Sequence, residues 1–265
     1  MLGKAKIGII GGSGQLGRAI LDGLFAAGDV SETRLWVSNR SGARGDLPEA
    51  VRVTRDIAEL VASCDVILLS IPPAAALKLR LAAEGKLVLS VMAGVALAQL
   101  AEIAGHDRVI RAMSSPAAAD RLAYSPYVTG GEVRAEDCAL VEAIFGAVGM
   151  VDRLQDEHQI DVFTAMTGPV PGFVALYAAV MAGFARAQGV DPDVADRAVR
   201  QLFKASGHML GAADASPATH VQAMVDYAGT TAAGIDAMKE AGIARVIETG
   251  LAAAVDKTRR IASED

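Results

Sequence analysis

Short apolar runs alternate with stretches of helical period through the first half of the chain. Ala5–Ile10 is such a run and ends in glycines; a helix pattern from Gln15 to Ala27 follows and stops at Gly28. Arg34–Val37 predicts a second strand, then a polar turn, Ser38-Asn39-Arg40-Ser41-Gly42. Val51–Val53 and Asp65–Ile71 are further strands, with a helix between them that Asp56 can cap. Lys86–Met92 and Arg108–Ala112 continue the series around a helix over Leu97–Ala104. A strand at Tyr127–Thr129 and a helix at Ala135–Val148 complete it. Strands and helices alternating at this spacing predict a parallel, doubly wound sheet.

After Leu154 the strand signals stop. Ala195, Ala198, Val199, Leu202, Phe203 and Ser206 recur at helical spacing, with Asp196, Arg197, Arg200 and Lys204 between them, which predicts an amphipathic helix. Asp191-Pro192 and Ser216-Pro217 each offer an N-cap followed by proline at the first helical position. The chain is therefore expected to divide into an α/β domain over 1–154 and an all-helical domain over 155–265, with no long linker. It shows no internal repeat and no low-complexity tract.

Composition narrows the partners. A net charge of −6 without a Lys/Arg cluster argues against nucleic acid or an anionic membrane. The two cysteines, Cys64 and Cys138, have no metal-type spacing and are expected as reduced core residues of a cytoplasmic protein. The first residues run directly into a strand and carry no signal-peptide pattern. Met166–Ala185 is an uncharged run that suggests a membrane span, but it contains Gly168-Pro169-Val170-Pro171-Gly172. That segment is expected to break the helix and leave an apolar piece from Phe173, shorter than the ~20 residues a bilayer needs. The piece reads instead as a helix buried on nearly all sides, within a domain or a subunit interface.

The chemistry begins at Gly12-Ser13-Gly14-Gln15-Leu16-Gly17, which follows a strand and opens a helix, the context in which a GxGxxG loop binds a dinucleotide. Gly12 is assigned the tight turn, Gly14 the close approach of backbone to pyrophosphate, and Gly17 the close packing of helix on sheet. The helix N-terminus then stabilises the phosphates. At the end of the second strand an NAD site usually carries an acid; here the residues are Asn39, Arg40 and Ser41. Arg40 can pair with a 2′-phosphate while Asn39 and Ser41 donate hydrogen bonds to it, so NADPH is the expected cofactor. Ile71-Pro72 and Ala93-Gly94 end the next strands and are expected to border the nicotinamide, unless they are plain loop residues.

The glycine loop, Ser38-Asn39-Arg40, Ala93-Gly94-Val95, Arg111-Ala112-Met113 and Gly229-Thr230-Thr231-Ala232-Ala233-Gly234 together resemble the pyrroline-5-carboxylate reductases, over nearly the whole chain. Members of that family reduce a cyclic imino acid to proline with NAD(P)H. The resemblance implies a Rossmann domain, an all-helical dimerisation domain that interlocks with a second subunit, and a cyclic imine as substrate. It also implies that Thr231 hydrogen-bonds the imine nitrogen, and that Gly229, Thr230 and Thr231 hold the substrate. Three segments differ from the family pattern: Met113-Ser114-Ser115-Pro116-Ala117 stands for Met-Pro-Asn-Thr-Pro, Gly168–Phe173 for Gly-Ser-Gly-Pro-Ala-Tyr, and Asp226-Tyr227-Ala228-Gly229 for Ser-Pro-Gly-Gly. They leave the exact imine open.

Amides at the helix start near Thr230 suit a substrate carboxylate, although either threonine can equally cap that helix. Asp226 would repel an imino acid and bind a cationic or hydroxylated substrate, or else cap the same helix and point away; Tyr227 can donate a proton or simply pack. The four histidines show no metal-ligand pairing, and no metal is expected. Two other classes remain. A β-hydroxyacid dehydrogenase would carry a catalytic lysine in the first long helix of its second domain, and Gln155–Gln188 has none; a deazaflavin-dependent NADP reductase generally lacks so large a helical half. The remaining class is a nucleotide-binding regulator without turnover.

Overall fold

The computed structural model describes residues 4–212, 214–227 and 229–261. By their internal contacts they form two compact units, 1–168 with 254–265, and 169–253. Secondary structure changes from mixed to helical at about Leu154.

In the first unit the elements run β1 (Ile7–Ile10), α1 (Gln15–Ala27), β2 (Leu35–Ser38), β3 (Arg52–Thr54), α2 (Ile57–Ser63), β4 (Val66–Leu69), α3 (Pro73–Ala76), β5 (Leu87–Ser90), α4 (Leu97–Ala104), β6 (Val109–Ala112), β7 (Ala123–Thr129), α5 (Ala135–Ala147), β8 (Gly149–Arg153) and α6 (Glu157–Thr167). They build one sheet of order β3-β2-β1-β4-β5-β6-β7-β8. All neighbours are parallel except β6 and β7, which pair antiparallel through Arg111↔Val128. The sheet is thus mostly rather than wholly parallel. Two pieces of it were not read correctly from the chain. β7 begins at Ala123, ahead of Pro126, and β8 was not anticipated because it is an edge strand with Met150, Asp152 and Arg153 exposed.

Central strands are buried on both faces, which is why they read as continuous apolar runs. Alternate residues serve opposite cores. Ile7, Ile9, Val66 and Leu68 pack with Ile20, Leu21 and Leu24 of α1 and Val141, Ile144 and Phe145 of α5. Ile10, Ile67 and Leu69 pack with Leu60 of α2 and Leu100 and Ile103 of α4. Both cysteines are free and buried. Burial, with Asp65 adding to it, pushes the Cys64 thiol up to about 12.

The start and stop signals hold. α1 ends on Gly28 in the left-handed region at φ 71°, and Asp56 accepts from the amides of Ala58 and Glu59. An N-cap such as Asp56 is worth ~1 kcal/mol.

The second unit contains α7 (Val170–Ala187), α8 (Pro192–Gly211), α9 (Pro217–Asp226), α10 (Thr230–Glu240) and the first part of α11 (Ile243–Ile261). Asp191 and Ser216 cap α8 and α9, each with proline in the first turn. The expected break before Phe173 does not occur. α7 starts at Val170, because Pro171 in a first turn lacks only an N–H that would have no helical partner there. Gly168 and Pro169 also keep helical dihedrals, so 157–187 is long and apolar enough to cross a membrane by length and composition (mean hydropathy 1.5). Nor is α7 buried within the chain: Leu176, Val180 and Phe184 are 63–69% exposed. Among the described residues of 169–253, only Ala182, Ala195 and Val199 are buried. Tyr177 and Phe203 meet edge to face at 5.5 Å, but most of the apolar surface of these helices has no cover inside one chain.

Candidate active site

The strand order reverses between β1 and β4, and their carboxyl ends open the crevice where ligands bind in open α/β sheets. The loop after β1 turns at Gly11, whose φ of +90° favours glycine and whose added Cβ would lie 2.2 Å from the Ser70 carbonyl oxygen. The tight turn assigned to Gly12 therefore belongs to Gly11. Gly12 is instead hemmed in by Val37, 3.0 Å from where its Cβ would stand. Gly17 faces Gly11, with only 2.5 Å for a Cβ, so α1 can begin close against the loop. The N-cap of α1 is Gly14, without a side-chain cap bond, which leaves the first amides of the helix to a ligand. Arg18 in the first turn is paired with Asp22 and Asp46 instead of facing that ligand.

A cavity of about 580 Å³ lies over this loop, bordered by Ser13, Gly14, Asn39, Arg40, Ser41, Ile71 and Pro72 of the expected set. Gly12, Gln15, Leu16 and Gly17 support the loop from outside the lining, Leu16 by packing on the core. Ala93 and Gly94 follow β5 outside this cavity, with Gly94 at φ +76°. Gly11, Ser70 and Arg55 also line the cavity, and none of the three was foreseen. Arg55 follows β3, and its place at a strand carboxyl end was the available signal.

The turn after β2 is closed by its own side-chain hydrogen bonds. Asn39 Nδ2 donates to the Ala43 carbonyl, and Asn39 Oδ1 accepts from Ser41 Oγ and the Gly42 amide. One Asn39 amide hydrogen and the Ser41 hydroxyl hydrogen are thus engaged inside the turn. Arg40 is exposed and makes no ion pair with a carboxylate among the described residues. A cradle that a Cβ would fill, orphan amides and unpaired guanidinium charge together fit a dinucleotide carrying a 2′-phosphate.

At the end of β6 stands a further group missed in the sequence. Arg111, 3% exposed, donates from Nη1 to Glu157 Oε1 at 3.0 Å and from Nη2 to Asp161 Oδ1 at 2.6 Å. Glu157 Oε1 also accepts from the Leu97 amide at 2.7 Å, so it ties the start of α4 to β6. Arg111 Nε is buried and has no partner among the described residues.

The threonine pair belongs to the second unit. Gly229, at φ +99°, is the N-cap of α10 and makes no side-chain cap bond. Neither threonine is the cap, and Thr230 and Thr231 are both exposed. Asp226 does not cap the helix either; its carboxylate accepts from Gln222 Nε2 at 2.7 Å. Tyr227 is 91% exposed and does not pack within the chain, while Ala228 lies outside the described residues. His106 is structural, bonded to the Ala83 carbonyl and the Arg108 amide.

Residues 6–94 match the family described as NADP oxidoreductase coenzyme F420-dependent, and 157–261 match the pyrroline-5-carboxylate reductase dimerisation family. The chain is 28% identical to a pyrroline-5-carboxylate reductase of Arabidopsis thaliana over 97% of this chain and 95% of that one. Its fold is similar to that of a pyrroline-5-carboxylate reductase from Coxiella burnetii (TM-score 0.85, 23% identity, 98% and 99% covered). A pyrroline carboxylate reductase of Plasmodium falciparum, solved with NADP bound, has a similar fold as well (TM-score 0.80, 21% identity, 97% and 98% covered). The likeness to pyrroline-5-carboxylate reductases thus runs through nearly the full length of the chain, and its helical half matches their dimerisation family.

Proposed function

We propose that the protein is an NADPH-dependent reductase of a cyclic imine, 1-pyrroline-5-carboxylate or a close relative, acting in proline biosynthesis as a cytoplasmic homodimer. The observation that carries this reading is the pairing, in one chain, of a basic dinucleotide cavity with a helical region of the reductases' own dimerisation family. NADPH, when bound, supplies the hydride that reduces the C=N carbon.

Within this reading the chain positions and polarises. The loop amides at Gly14 and the start of α1 hold the pyrophosphate, and Arg40 neutralises the 2′-phosphate. Ile71 and Pro72 line the cavity, and in this reading they border the nicotinamide. Thr231 holds the imine nitrogen and shares in its protonation. The orphan amides of Gly229, Thr230 and Thr231 at the start of α10 receive the carboxylate. A protonated imine is already electrophilic, so orientation supplies much of the rate. The exposed apolar faces of α7 and α8 meet a second copy of the chain instead of lipid, which is what the matched dimerisation region supports.

Initial rates of NADPH oxidation, measured across cyclic imines with and without a carboxylate, test the reading. Turnover of 1-pyrroline-5-carboxylate or a carboxylated relative is expected. Turnover of no imine would overturn the reductase reading in favour of a nucleotide-binding regulator.

A further inference from the structure

The cofactor reading assigns one cation, Arg40, to the 2′-phosphate, and the cavity holds a second that nothing yet accounts for. Arg55 leaves the end of β3 and lines the same wall as Asn39, Arg40 and Ser41. Its Nε donates to the Arg40 carbonyl oxygen at 3.2 Å, which fixes the guanidinium plane beside the turn. Gly42, at φ +67°, lets the side chain lie flat across the turn: a Cβ there would stand 2.4 Å from Arg55 Cγ and 2.7 Å from Cδ. The conformation and the missing side chain of Gly42 thus both serve the seating of Arg55.

Arg55 also keeps its charge available. The carboxylates nearest in sequence are occupied, Asp56 by the amides of Ala58 and Glu59 and Glu59 by the Thr54 hydroxyl at 2.6 Å. Among the described residues no carboxylate pairs with Arg55, and no acid lines the cavity. Arg40 and Arg55 are the basic residues among the cavity's lining, both beside that turn. A lone solvated arginine has no reason to spend Nε on its neighbour's carbonyl and hold two like charges on one wall. A dianionic phosphate supplies one.

We propose that Arg55 is a specificity-determining residue that clamps the 2′-phosphate of NADPH together with Arg40. This rests on the NADPH reading above. The test is equilibrium binding of NADPH and NADH to the full-length protein and to Arg40→Ala, Arg55→Ala and the double variant, with competition by 2′,5′-ADP and 5′-AMP. Circular dichroism checks that each variant is folded. Arg55→Ala is expected to weaken NADPH and 2′,5′-ADP by about tenfold or more and to leave NADH and 5′-AMP within about twofold. The double variant is expected to lose the preference altogether. A native preference for NADPH that survives Arg55→Ala, or a loss equal for both cofactors, overturns the inference while leaving the NADPH reading intact. A native protein that binds NADH as tightly as NADPH overturns both.

Discussion

Replacing Arg40 with alanine should weaken NADPH binding by about ten- to a hundredfold, the worth of a charge-assisted contact, and spare NADH. Titration of both cofactors against the variant checks this, and equal losses would remove Arg40 from the phosphate site. Thr231→Val keeps the shape and deletes the hydroxyl. Turnover on the best imine should fall at least about tenfold with NADPH affinity nearly unchanged, because general acid assistance is worth ~10²–10⁴-fold and a protonated imine needs less. Full turnover in that variant would leave Thr231 without a catalytic part, and since Gly229 is the cap, without a capping part either. Residues of this kind were legible because their chemistry is written in a short motif. Gly11 was not, because its positive φ exists only once the chain has folded, and Arg55 gave no more than its place after a strand, its reach to the Arg40 carbonyl being a property of the fold.

Elements were legible where burial leaves a strong period and obscure where it does not. α1, α4 and the caps at Asp56, Asp191 and Ser216 are found as expected, whereas β8, exposed at Met150, Asp152 and Arg153, carries no alternation to detect. α5 is held to β6 by the pair between Arg108 and Asp137, at 2.6 Å. Burial alone would raise the Asp137 carboxyl, yet hydrogen bonds from Arg108 and the Arg134 amide outweigh it and hold the group below the usual carboxylate range. A lowered folded value stabilises the fold fully above the unfolded carboxylate range and loses that contribution as pH falls through the folded value. Asp137→Ala should therefore cost about 1–3 kcal/mol near neutrality, since it removes a bidentate carboxylate partner from a part-buried arginine that keeps its bond to the Gly85 carbonyl. The cost should shrink in acid. Urea unfolding at neutral and acidic pH reads this; a cost independent of pH would show that the pair does not set the acid limb.

For the whole molecule, apolar surface decides the assembly. The second unit buries too few of its described residues to stand alone in water, while Leu176, Val180 and Phe184 lie open along α7. The helix was expected to begin only at Phe173 and to be covered within a domain or at a subunit interface; it begins at Val170, and one chain does not cover it. Hydrophobicity counts residues and says nothing of which chain covers them. Sedimentation at micromolar concentration should find a dimer or an assembly of dimers, and a folded, monodisperse monomer would contradict the proposed interface. Leu176→Glu should weaken the association. The central claim is that the chain passes a hydride from NADPH to an imine carbon. Its most direct test supplies the imine turned over best, 1-pyrroline-5-carboxylate or its relative, with NADPH dideuterated at C4 of the nicotinamide and takes the mass of the product. The reduced amine one mass unit heavier than the unlabelled control is the predicted result. Reduction of no imine, or a reduced amine without the label, would contradict the account.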